Sequence, residues 1–170
     1  RTGTLWDSAT NIAYFSSAAA ATVNGSVAAK TVIADAALTV GGGTLTVAGE
    51  IVGPNCTVNA TLGNESIIKS HSGSLTLNGS CPNLKEIAAL AGTLSIGSGA
   101  VFSAPLEVVV NGAGTLDLGG NAVTLSWLAG TGTVANATAI TLTNDAACTF
   151  GGDFSGDVVV THTGHAGWAF

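Results

Sequence analysis

The chain has 170 residues, of which only 8% are charged, with a net charge of −6 and a pI of about 4.6. Its four Lys and Arg residues are too few for a basic stripe, which excludes nucleic acid and charge-driven attachment to an anionic membrane as partners. No run of ~18 uninterrupted apolar residues occurs, so no membrane-spanning helix is predicted.

Residues 1–30 differ in texture from the rest. Thr4-Leu5-Trp6-Asp7 opens the chain, and Ile12-Ala13-Tyr14-Phe15 brings two aromatics together. The alanines at 18–21 have helix propensity, but short strands with Asn24-Gly25 as a turn fit the flanking Val23 and Val27 better. This segment reads as an end coil or a cap. The chain opens at Arg1 with no charged-then-apolar leader, so a signal peptide is expected to have been removed or to lie outside these residues.

Strands follow at 31–33 and 37–40. Gly41-Gly42-Gly43 then turns into Gly43-Thr44-Leu45-Thr46-Val47, the first copy of a phrase that returns. The later copies are Gly73-Ser74-Leu75-Thr76-Leu77, Gly92-Thr93-Leu94-Ser95-Ile96 and Gly114-Thr115-Leu116-Asp117-Leu118. A weaker one begins at Gly132-Thr133-Val134. Each copy alternates polar and apolar after a glycine, as a half-buried strand does after a tight corner. A strand phrase recurring every ~20 residues marks a coil that stacks on itself. There is room for two more strands between copies, so the predicted architecture is an all-β parallel β-helix (β-solenoid) with about three strands per coil. A β-sandwich is the alternative, since short strands with regular turns describe it too.

The interval from Gly43 to Gly73 predicts one wide coil over 54–82. Residues 83–91 form the one helix-like patch. Further strands are predicted at 100–102, 106–110, 122–125, 139–142, 148–150 and 157–161, and 164–170 reads as an apolar tail. The whole is a single domain of stacked coils over 31–163.

The stretch from Tyr14 through Thr22-Val23-Asn24-Gly25-Ser26-Val27 and Leu38-Thr39-Val40 to Val47-Ala48-Gly49 resembles the autotransporter-associated β-strand repeat of bacterial exported surface proteins. Gly112-Ala113-Gly114-Thr115-Leu116-Asp117-Leu118-Gly119-Gly120-Asn121 is similar to it again. The resemblance implies a right-handed parallel β-helix, secretion, and a structural or adhesive role. Such passengers usually avoid cysteine, whereas this chain has three.

Little catalytic chemistry is visible. Cys56 and Cys81 each sit beside Pro and Asn at a spacing near one coil, so a disulfide between them is expected in an oxidising compartment. Cys148 lies in an apolar strand and reads as a buried thiol. His162 and His165 stand three apart without a supporting Cys or carboxylate motif, so no metal site is assigned to them. His71 reads as a solvated loop residue. Gly151-Gly152-Asp153-Phe154-Ser155-Gly156-Asp157 fails the calcium-binding nonapeptide order and occurs once. Glu50, Glu65, Glu86 and Glu107 look scattered, and no nucleophile elbow, phosphate loop or dinucleotide fingerprint is present. Asn24, Asn55, Asn59, Asn64, Asn78 and Asn136 each begin a glycan sequon, read here as turn composition.

These features lead to a non-enzymatic extracellular structural subunit, with no cofactor or metal, that stacks head to tail with copies of itself into a surface filament. The alternative is an adhesin fragment that binds glycan or a host surface. A polysaccharide-acting enzyme is the third reading; it requires carboxylates gathered on one face.

Overall fold

The structure is a computed structural model that describes residues 8–169. The opening stretch at 4–7 and the last residue of the apolar tail, Phe170, lie outside the described residues. The described chain is all strand and turn, wound into a parallel β-solenoid of about eight turns. All of its strand pairings are parallel, which removes the sandwich alternative.

Each coil has three sides. The first face is built by 19–23 and 38–40, then by Asn55–Val58, Ser74–Leu77, 93–96, 114–117, Thr133–Ala135 and Asp153–Ser155. Its inward positions form a column, Leu38, Cys56, Leu75, Leu94, Leu116 and Val134, in which each side chain lies directly over the last. The second face takes 26–29, 44–47, Thr61–Leu62, Ser80–Cys81, Val101–Phe102, 122–125, Ala139–Leu142 and Val159–His162. The third takes 31–34, Ile51–Val52, Ser66–Lys69, 86–89, 106–110, 127–130, Cys148–Thr149 and Trp168–Ala169. Ser8–Phe15 lies beneath the second and third faces of the first full coil.

Alternation explains the core. Every second residue of a strand points inward, and those positions carry Leu, Ile, Val and Ala with almost no exposure. A lone five-residue strand is unstable, but stacking gives each one a dry neighbour and a backbone partner on both sides. The first face keeps one unbroken ladder through all eight coils, with its register shifts confined to the corners. On the third face a shift falls inside the strand pair, between Leu106 and Glu107.

Three expectations are corrected. The coil over 54–82 is not wide: Cys56 sits under Leu75, an ordinary one-coil step. The repeated phrase instead changes face. Its copy at 43–47 lies on the second face, and the copies at 73–77, 92–96, 114–118 and 132–134 lie on the first. The helix-like patch at 83–91 enters the strand Glu86–Ile96, because Ile87 and Ala89 fill inward positions of the third face. The tail at 164–170 contains the strand Trp168–Ala169, paired with Cys148–Thr149. Near the start, Ala19–Ala34 is one strand of 16 residues that bends at Gly25 (φ 72), where the predicted turn becomes a corner.

Candidate functional site

Two places gather chemistry. The first is the corner between the third and first faces. Strand Ser66–Lys69 continues the third face, and its alternation turns Ile67 and Lys69 inward. Lys69 is 2% exposed, and its ammonium donates to the carbonyl oxygens of His71 and, at 3.3 Å, Ala91. Burial pulls its pKa down, while Glu50 and the Cys56 thiol oppose that shift. On the outside of the same corner the Ser70 hydroxyl donates to Glu50 Oε1 at 2.5 Å. His71 Nδ1 lies 3.2 Å from Glu50 Oε2 and 3.3 Å from Ser70 Oγ.

A serine, a histidine and a glutamate in contact invite comparison with a nucleophilic relay. In such a relay the acid holds one ring nitrogen and the hydroxyl addresses the other. Here both meet Nδ1, so the imidazole has no route for taking the Ser70 proton while Glu50 steadies it. The cluster ties one coil to the next. Beside it lies a surface groove of about 330 Å³, lined by Val47, Glu50, Asn64, Glu65 and Ile68.

The second place is a row on the third face. Register puts Ser66, Glu86, Glu107 and Trp127 on successive coils at one outward position. The carboxylates that look scattered along the chain are therefore partly gathered. Glu86 and Glu107 are direct neighbours, both exposed, with the indole of Trp127 next in line. Glu65 is 3.7 Å from Lys85 in an exposed ion pair.

The other candidates separate. The expected Cys56–Cys81 disulfide is not formed, and all three cysteines are buried free thiols. Spacing alone suggested neighbouring layers, but Cys56 belongs to the first face and Cys81 to the second. His162 Nε2 meets Asn144 Oδ1 at 2.8 Å, whereas His165 reaches the exposed Asp145 at 3.5 Å, so the two imidazoles serve different partners. No group of three His, Cys, Asp or Glu suited to a metal ion occurs among the described residues. Among them, too, no helix is long and apolar enough to cross a membrane.

The sequons have a structural explanation. Asn24, Asn59, Asn78 and Asn136 stand at the corner between the first and second faces. There the Asn turns the chain, Ala60, Gly79 and Ala137 fit the narrow interior while Gly25 stays exposed, and the Ser or Thr leads into the next strand. Asn78 donates to Asn59 at 2.9 Å, and Asn136 holds φ 54, a conformation that Asn tolerates better than most residues. Asn64 is different. It is buried, receives the Val47 N–H at 2.9 Å and donates to the Val47 carbonyl at 2.6 Å, in the manner of a missing strand residue.

No family model, curated protein or solved structure matches this chain. Lys69 and the Glu86–Glu107–Trp127 row are the features that linear reading missed. A Lys in the inward register of Ser66-Ile67-Ile68-Lys69 was the available signal for the first. The second needed the coil length before it could be seen.

Proposed function

We propose that this chain is a non-enzymatic structural segment of the cell exterior, a β-solenoid rod that stacks head to tail with copies of itself into a surface filament. The observation that carries the reading is the stacking itself. On the first face each strand from 38–40 to Thr133–Ala135 pairs in parallel along both backbone edges with the coils on either side, so that every coil is a template for the next. Such edges take any parallel strand of matching register, and a contact between unlike ends propagates instead of closing. Sparse charge and the resemblance of 14–49 and 112–121 to exported repeat proteins support the extracellular setting. Electron microscopy of concentrated protein tests it: fibres with a ~4.8 Å axial layer spacing are expected. Discrete short rods at every concentration would overturn the filament.

A second reading is favoured by the row on the third face. Two carboxylates that accept sugar hydroxyls, followed by an indole for stacking, suit an adhesive rod that binds glycan. Hydrolysis would further require one carboxyl held protonated by its surroundings, and Glu86 and Glu107 share the same open face. Saturable binding on a glycan array that disappears in Trp127→Ala would support adhesion; an array silent for the wild-type chain would remove it.

A further inference from the structure

We propose that the first face is an ice-adsorbing surface, a binding role separate from the filament and from the Glu86–Trp127 row. Two parallel ranks of hydroxyls run along it. Ser74, Thr93, Thr115 and Thr133 form one, on four consecutive coils. Thr39, Thr57, Thr76 and Ser95 form the other, also on four consecutive coils. Since the ladder on this face is unbroken, spacing within a rank is fixed at one coil, ~4.8 Å, and the ranks lie two residues apart, ~6.7 Å.

Three observations point to ordered water as the occupant. First, these hydroxyls are left for solvent. Of the eight, only Ser74 is bonded within the protein, to Asn55 Oδ1 at 3.2 Å. Thr138, Thr143 and Thr163, which lie off this face, instead donate back to backbone carbonyls. Second, the outward positions at 39, 55, 57, 74, 76, 93 and 95 carry neither charge nor aromatic ring. A sugar polymer is commonly met by aromatic platforms, and among the described side chains the exposed indole, Trp127, is on the third face. Two carboxylates stand on this face: Asp153, which follows Thr133 in the first rank, and Asp117, which follows Ser95 in the second and is already engaged by the Gly119 N–H at 2.9 Å and Asn136 Nδ2 at 3.0 Å.

Third, the spacing suits the tetrahedral water network. Two oxygens bonded to one central water through ~2.75 Å links lie ~4.5 Å apart. A rank of hydroxyls at ~4.8 Å can therefore stand in for a row of second-neighbour oxygens with a mismatch of a few tenths of an ångström. The hydroxyls are held on half-buried side chains in a rigid ladder, so little motion has to be frozen on contact. Threonine methyl groups between them leave the hydroxyl field itself weakly hydrated.

The test is growth of a single ice crystal in a solution of the protein just below its melting point. Faceted crystals and arrested growth are expected for the wild-type chain and for Thr124→Tyr, a change on the second face. Both effects are expected to be lost in the double variant T76Y/T93Y, with its fold checked by circular dichroism. Dye-labelled wild-type protein offers a readout independent of any variant: it should decorate particular crystal planes. Unfaceted discs, exclusion of the dye from ice, or unchanged activity in a folded T76Y/T93Y would each overturn the proposal. Binding to crystalline cellulose or chitin without an effect on ice would overturn it too.

Discussion

Gly92 and Gly114 hold the same corner and share one constraint, the closeness of neighbouring backbone carbonyls, to which Gly92 adds a second. Gly92 takes φ +65, a conformation that disfavours any side chain. Gly114 does not, yet a Cβ on it would stand 2.1 Å from the Ala89 carbonyl oxygen of the coil beneath. Close approach of backbone is therefore the condition on Gly114, and Gly114→Ala should cost about 1–3 kcal/mol through forced separation of two coils. An unchanged urea midpoint would refute this. The thiols report burial in another way. Removal from water pushes the Cys81 thiol from its ordinary 9.0 up to about 11. The folded chain keeps that proton where the unfolded chain releases it, so the stability it confers is complete below pH 9 and declines as the pH rises toward 11. The slope is at most ~1.4 kcal/mol per pH unit. Cys56, raised by burial, acts in the same direction, while Lys69, lowered by burial, acts in the opposite one. Urea midpoints between pH 8 and 10.5 should fall, and should fall less steeply in Cys81→Ala.

At the scale of the element, the row on the third face sets two like charges side by side. Glu86→Gln is expected to raise stability by a few tenths of a kcal/mol, up to about 1, because adjacent like charges on paired strands repel. The gain should shrink in high salt, and a loss of stability would show that the carboxylates have a partner. The same row shows what linear reading reached and where it stopped. The strand phrase was legible because its alternation has a physical cause, and with it came the parallel coil and its three sides. Which face a copy occupies was not legible. Gly43-Thr44-Leu45-Thr46-Val47 and Gly73-Ser74-Leu75-Thr76-Leu77 satisfy the same local rule, and only the stacked neighbours assign one to the second face and the other to the first. That ambiguity made 54–82 look wide, and an inference from spacing paired two cysteines that belong to different faces. Lys69 escaped notice because charge is a surface signal on its own; the inward register of its strand turns it into a buried donor to two carbonyls.

At the scale of the molecule, each coil touches only the coils above and below it. Stability is then close to a sum of coils and the junctions between them. Deleting 75–93 removes one complete step and brings Leu94 over Cys56, in the place that Leu75 now holds. The shortened chain should remain a folded parallel solenoid, seen as the same β-type circular dichroism with a lower melting temperature; a disordered product would contradict coil-by-coil assembly. The unbroken ladder on the first face has a mechanical consequence. Its backbone hydrogen bonds lie along the axis of the rod, so tension between the two ends loads the bonds of one coil at a time and never shears many together. Under load the rod would lengthen in small, nearly equal steps at low force, each releasing a single coil, and would recoil from whichever coils remain: an anchor that yields before it breaks.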